Sequence, residues 1–212
     1  MSTSKIFDSK ASEYDEWYEK HRGLYFSELA AARSFNCQKA LEIGVGTGRF
    51  TSGTGVIVGV DPSLEMLKKV SADDVDLVQG VGESLPLRSN LFDCSFLIVT
   101  LCFVDNPVSV LKEAARVSER VIACIVPRNS SWGRLYSELA EKGNPFYTYA
   151  HFYTVSEIVE MASEIGLRLG KLIGTLSYPP GEERVEKPVE LELPEAEQYG
   201  FVCVELKRGT IQ

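Results

Sequence analysis

The chain has 212 residues, enough for one domain with a core of its own. Hydrophobic residues make up 44% and charged residues 25%, the balance of a globular chain and not of a disordered or membrane-embedded one. Thirty acidic residues against 22 basic leave a net charge of −8, which disfavours a nucleic-acid partner because phosphate binding leans on basic patches.

No apolar run approaches the length of a bilayer span, and the opening Met-Ser-Thr-Ser-Lys has no apolar signal core, so the expected location is the cytoplasm. The five cysteines are odd in number and contain no C-x-x-C pair. Three of them, Cys94, Cys124 and Cys203, fall in strand-like runs and read as small core thiols in a reducing compartment. Two histidines, His21 and His151, are too few for a His-rich metal centre, and no metal is expected.

The chain opens with an aromatic and charged arm. Ala11, Tyr14 and Tyr18 fall at helical spacing, with Phe7 near the same face, and a second helix is expected from Leu24 to Phe35. An apolar run, Ala40, Leu41 and Ile43, then meets glycines at alternate positions, Gly44, Gly46 and Gly48. That pattern predicts a buried strand opening into a tight loop, where glycine lets the backbone approach a ligand and free N–H groups can hold an anion. Glu42 places a carboxylate beside the loop. The spacing is G-x-G-x-G; Arg49 stands where a dinucleotide-binding turn has its third glycine.

Only Thr51 to Gly55 separate this loop from the next strand, Val56–Asp61, too few and too glycine-rich for a crossover helix. Asp61 ends that strand, where a carboxylate suits the vicinal hydroxyls of a ribose; with Pro62 and Ser63 it also suits a helix start. A third strand follows at 75–80, then Val81-Gly82-Glu83-Ser84-Leu85-Pro86-Leu87, then the clearest central strand over 90–99. Thr100, Leu101 and Cys102 leave its carboxyl end, where ligands sit in open α/β sheets.

Pro107 to Val117 reads as an amphipathic helix and 120–126 as a fifth strand. The insertion after it carries Trp132, Arg134 and Tyr136, and a second aromatic run, 146–153, contains His151 and Tyr153. Thr154 and Glu157 have the spacing of a capping box. A sixth strand is expected over 167–176 and a last one over 200–206; the segment 179–197, with four prolines and seven glutamates, reads as a solvated loop or edge.

The run E-x-G-x-G-x-G from Glu42 to Gly48 resembles the first motif of class I S-adenosylmethionine (AdoMet)-dependent methyltransferases. The acid at Asp61, the V-G-E-S-L-P-L segment and the F-D-C-S-F strand continue the resemblance in the same order. The arm, F-D-x-x-A-x-x-Y-D-x-W, is similar to the one preceding the core in the ubiquinone- and menaquinone-biosynthesis methyltransferases and their relatives. The resemblance implies one domain over 1–212: an arm acting as a lid over 1–36, an AdoMet-binding core over 37–126, and acceptor-side insertion and last strands over 127–212. It implies an α/β, Rossmann-like, doubly wound sheet of seven strands in the order 3-2-1-4-5-7-6, the seventh antiparallel.

It further implies methyl transfer from AdoMet to a small-molecule acceptor, an amine or a quinone-like ring. Glu42, Gly44, Gly46 and Gly48 would hold the methionine end, and Asp61 with Pro62 the ribose. Gly82 and Glu83 would lie by the adenine, Thr100 and Leu101 would face the sulfonium, and Tyr14 would close over the site. Trp132, Tyr136 and Tyr153 are the candidates for the acceptor pocket and His151 for a base. The family's usual adenine-binding acid is replaced by Val81. That change and the short first crossover also fit a non-catalytic AdoMet-binding protein. A nicotinamide-dependent oxidoreductase shares the strand, loop and acid, but the glycine spacing and the Gly82–Leu87 segment speak against it.

Overall fold

A computed structural model describes residues 3–209; the outer limits of the expected domain, 1 and 212, lie outside the described residues. One eight-stranded sheet runs through it in the order β3-β2-β1-β4-β5-β8-β6-β7. The strands are β1 (Ala40–Ile43), β2 (Val56–Asp61), β3 (Asp76–Gln79), β4 (Phe92–Ile98), β5 (Ser118–Ile125), β6 (Leu167–Thr175), β7 (Val189–Leu191) and β8 (Phe201–Arg208). The first five pair in parallel, and β8 lies antiparallel between β5 and β6. The expected order holds, with β8 in the place of the seventh strand. The strand count is corrected from seven to eight: Val189–Leu191, inside the glutamate-rich segment, pairs antiparallel with β6 at the sheet edge. Its short length and exposed glutamates fit an edge that must not pair further.

Helices cover both faces. α1 (Thr3–Lys20) and α2 (Arg22–Arg33) form the arm; α3 (Leu64–Leu67), α4 (Pro107–Val117), α5 (Ser131–Glu141), α6 (Val155–Glu164) and α7 (Leu193–Ala196) follow. On α4, Val110, Leu111, Ala114 and Val117 are the buried face, as the spacing predicts. The capping box forms at α6: Glu157 N–H donates to Thr154 Oγ1 and Thr154 N–H donates to Glu157 Oε2. Alternate strand residues feed two cores. Leu41, Ile43 and Leu97 pack with α4 and α6, whereas Ala40, Phe96 and Ile122 pack with the arm.

The first crossover contains only turns between β1 and β2. The face it leaves open is covered by α2, whose Leu29, Ala31 and Ala32 join Phe50 and Val56 in the second core. Arg33 fastens the two segments by donating to the Ser52 carbonyl at 2.7 and 2.9 Å. The turn works only with glycine at position 55, where φ is +77° and a Cβ would lie 2.1 Å from the Cys37 carbonyl oxygen. Gly55→Ala is therefore expected to destabilise the fold by about 3 kcal/mol, read as a lower urea midpoint at unchanged slope. An unchanged midpoint would show that this turn yields without cost.

The cysteine expectation is corrected. Four of the five cysteines pair, as Cys37–Cys94 and Cys124–Cys203, leaving Cys102 free and buried. The reason is register. Cys124 and Cys203 stand opposite each other across the antiparallel β5–β8 pair. Cys94 stands opposite Ala40 on β4, within reach of Cys37 as the chain enters β1.

The arm is fixed to the glycine loop by Arg49. Its guanidinium donates to Asp15 Oδ1 at 2.7 Å and to Glu19 Oε1 at 2.5 Å, and its carbonyl accepts from Tyr25 Oη at 2.6 Å. Farther along, Ser63 Oγ donates to Asp8 Oδ1 at 2.6 Å. The backbone of α1 leaves helical values at Lys10, between these two anchors.

Candidate functional site

One cleft lies at the carboxyl ends of β1, β2 and β4, the place the doubly wound topology reserves for ligands. Of the residues singled out in the sequence, Tyr14, Gly44, Gly46, Asp61, Pro62, Gly82, Glu83 and Thr100 line it. Gly44 and Gly46 have φ of +75° and +55°. At Gly44 a Cβ would sit 2.6 Å from Thr100 Oγ1 and Cγ2, so that position has no room for a side chain. At Gly46 the nearest atom to a built Cβ is Tyr14 Cε1 at 3.8 Å, so the arm roofs the loop at van der Waals distance.

Asp61 joins the parts. Its Oδ2 accepts from Gly46 N–H at 2.9 Å and its Oδ1 from Ser63 N–H at 2.8 Å. Ser63, and not Asp61, caps α3 through its own hydroxyl. The Asp61 carboxylate also lines the cleft, with acceptor capacity beyond these two bonds. Burial raises its pKa, against the two N–H bonds that lower it. Glu42 is 1% exposed, and its Oε2 has no hydrogen-bond partner. Burial, and then the Asp61 charge, push its carboxyl well above the usual range. An orphaned buried oxygen of this kind calls for a donor.

Gly82 sits where a Cβ would meet Ile43 Cγ2 at 3.0 Å and Val110 at 3.2 Å, which lets the backbone lie flat along the cleft floor. Val81 beside it is 49% exposed, an apolar face open to a flat ligand. Glu83 Oε1 accepts from Asn106 N–H at 3.5 Å. Thr100 Oγ1 donates toward the Ile43 and Ile98 carbonyls, tying β1 to β4 at the cleft edge.

Other predicted residues stand apart from this lining. Glu42 lies beneath the loop, Leu101 is buried at 1% exposure, and Gly48 lines a second, polar cleft with Asp15, Arg49 and Lys69. Trp132 is a core residue: its Nε1 donates to the Tyr178 carbonyl at 2.8 Å and its ring packs in the second core. Tyr136 stacks on Tyr147 at 4.5 Å. Tyr153 and His151 pack edge to face at 4.6 Å, His151 being exposed and held by its N–H to the Cys102 carbonyl. The Cys102 thiol is pushed up to about 12 by burial, so it is not a nucleophile at neutral pH.

Sequence reasoning missed Phe103, Asp105 and Val99 in the lining and did not place Phe7 there. Phe7 and Phe103 meet edge to face at 5.1 Å, closing the cleft from the arm side. Val99 has φ of +51°, unusual for a β-branched residue, and turns the chain out of β4. No sequence signal marks such a position. Asp105, before Asn106 and Pro107, reads only as a helix start.

The cluster Cys37, Asp93 and Cys94 is close enough to hold a metal, but its sulfurs are bonded to each other. Its carboxylate already accepts from the Gln38 and Lys39 N–H groups. Among the described residues no helix is long and apolar enough to cross a membrane.

Comparison with known proteins agrees with this geometry. A methyltransferase domain family matches residues 41–120. An uncharacterised protein of Methanocaldococcus jannaschii is 33% identical over 208 residues, spanning 96% of this chain and 98% of its own. The crystal structure of an AdoMet-dependent methyltransferase from Thermotoga maritima, described as a possible histamine N-methyltransferase, superposes with a TM-score of 0.88. It is 32% identical and covers 98% of this chain and 100% of its own. The demethylmenaquinone methyltransferase of Roseiflexus castenholzii is 27% identical over 179 residues, 79% of this chain and 69% of its own. With the glycine loop, the acid at the end of β2 and the strand order in agreement, the chain belongs to the class I AdoMet-dependent methyltransferases.

Proposed function

We propose that the chain transfers the methyl group of AdoMet to a small organic acceptor entering from the arm side of the cleft. The observation that carries this is the cleft itself: a glycine loop, an acid and a glycine–valine floor, lined together with the rings of Phe7, Tyr14 and Phe103. The residues fit the cofactor. The orphaned Glu42 Oε2 and the cradle over Gly46 suit its amino-acid end, Asp61 its ribose hydroxyls, and Val81 with the Gly82 backbone its adenine.

When bound, AdoMet supplies an electrophilic methyl on a sulfonium, whose displacement leaves a neutral thioether. The protein's share is alignment: the acceptor must approach the methyl in line, unprotonated at the attacking atom, with water kept out. Tyr14 and Phe7 of α1 serve as the roof that excludes water, and Arg49 with Asp15 and Glu19 holds that roof down. Tyr136, Tyr153 and His151 stand outside the cleft lining, so they enter this reading only as candidates for a more distant part of the acceptor. The relatives name two acceptor chemistries, an amine for the Thermotoga maritima protein and a quinone ring for the Roseiflexus castenholzii enzyme.

Calorimetry with AdoMet and separately with NAD tests the cofactor site. Saturable AdoMet binding, no heat with NAD, and an affinity about 10- to 100-fold weaker in Asp61→Ala are expected, the loss of a charge-assisted pair of hydrogen bonds. Folded protein that fails to bind AdoMet would end the methyl-transfer reading. Binding without turnover on any amine or quinone would favour a regulatory AdoMet-binding protein instead.

A further inference from the structure

The charged side chains that line the cofactor cleft all have one sign. They are Asp61, Glu83 and Asp105, and among the described residues no lysine, arginine or histidine joins them in the lining. None of the three carboxylates is neutralised by a cation. Among the described residues Asp61 accepts only from the N–H groups of Gly46 and Ser63, and Glu83 only from the Asn106 N–H at 3.5 Å. Asp105 is exposed and has no hydrogen-bond or ion-pair partner among the described residues.

A fourth carboxylate, Asp8, is tied to Asp61 through Ser63, which donates its N–H to Asp61 Oδ1 at 2.8 Å and its hydroxyl to Asp8 Oδ1 at 2.6 Å. The nearby cations face elsewhere. Arg49 and Lys69 line the second, polar cleft, and Arg49 is already paired with Asp15 and Glu19. Glu42 is not counted with the charges, because burial, and then the Asp61 charge, hold its carboxyl well above the usual range.

The cleft is a ligand site on other grounds, the glycine loop and the unpartnered Glu42 oxygen. What the carboxylates add is a field. A cleft lined by one sign of charge between apolar walls, here Val60, Ile98 and Phe103, concentrates the potential and attracts a counter-ion without touching it. The two nucleosides on either side of methyl transfer differ in this respect. AdoMet carries one net positive charge; S-adenosylhomocysteine, in which the electron pair of the broken carbon–sulfur bond has stayed on sulfur, is neutral overall.

We propose that Asp105 and Glu83, with Asp61, make the cleft a charge filter, which favours the cationic cofactor over its neutral product and so promotes product release. This rests on the methyl-transfer reading above and adds to it what sets the preference between the two ligands. Asp105 isolates the effect, because it is exposed and holds no other group in place.

The test is calorimetry with AdoMet, S-adenosylhomocysteine and sinefungin, an analogue in which a carbon bearing an ammonium group replaces the methylated sulfur. In wild type at low salt both cations are expected to bind at least about 10-fold tighter than S-adenosylhomocysteine. That gap should narrow about threefold in roughly 0.5 M sodium chloride, where the field is screened. At low salt it should narrow about threefold in Asp105→Asn and about 10-fold in Asp105→Lys, through weaker binding of the two cations and not of the neutral product. Retained S-adenosylhomocysteine binding also shows that both variants fold. Three results would each overturn the inference while leaving the methyl-transfer reading in place: wild type binding S-adenosylhomocysteine as tightly as AdoMet, a gap indifferent to salt, or equal weakening of all three ligands in the variants. Folded wild type that binds none of the three would instead remove the reading on which the filter rests.

Discussion

Reducing both disulfides is expected to lower the unfolding free energy by about 4 kcal/mol for each bridge, the value chain entropy gives for loops of this size. The bridges span 57 residues for Cys37–Cys94 and 79 for Cys124–Cys203, so each removes much of the freedom of the unfolded chain. All four cysteines sit in the second core, against the arm, so the reduced fold should loosen first where α2 covers β1 and β4. The Arg120 guanidinium lies 3.0 Å from Cys94 Sγ and also reaches Glu205 Oε1 at 3.3 Å, and it should lose order with the bridge. The measurement is urea unfolding with and without a phosphine reductant, beside a thiol count in denaturant. One thiol per chain before reduction, from Cys102, and five after are expected. Five thiols before reduction would mean that the cysteines pack as thiols and that the stability of the fold owes nothing to them.

Glu28→Gln is expected to stabilise the protein by roughly 3 to 5 kcal/mol above pH 8 and by almost nothing near pH 4.5. The carboxyl is raised in the folded state from 4.5 to about 8, so the folded chain holds that proton more tightly than the unfolded one. Its contribution to stability is therefore most favourable below the unfolded value and is lost as pH rises toward 8. The variant, which stays neutral, escapes that loss. Asp15 and Glu113 are shifted downward by their arginine partners, and Glu157 by the Thr154 N–H and then Arg128, in each case against the upward push of burial, and they weaken both proteins alike as pH falls below about 4. Melting temperatures of the pair from pH 4.5 to 9 should diverge as pH rises. A constant gap across that range would mean that the substitution changes packing and not ionisation.

The parts that were legible in the sequence are those governed by neighbours along the chain. Alternate glycines after an apolar run, an acid at the next strand end, and helical spacing on 107–117 are local patterns with local causes. They were enough to give the glycine loop, Asp61, the α6 cap and the strand order that the resemblance implied. Gly44, Gly46 and Gly82, which line the cleft, were legible because the cleft uses backbone geometry, and backbone geometry leaves glycines behind.

Tertiary structure decided whatever depends on which distant segments meet. Cys124 and Cys203 could read only as core thiols until the β5–β8 register put them face to face. Trp132 looked like a pocket ring because its type and position suit one, yet the core took it and satisfied its N–H with the Tyr178 carbonyl. The burial of Glu28 within α2 is a fact of packing, which no periodicity within that helix contains. The sequence by itself pointed to a nucleoside-type ligand at the carboxyl ends of the strands, where the cleft lies. What stands against that ligand on its far side was decided only when the arm folded across the sheet, because acceptor-side contacts are made by side chains far apart in sequence.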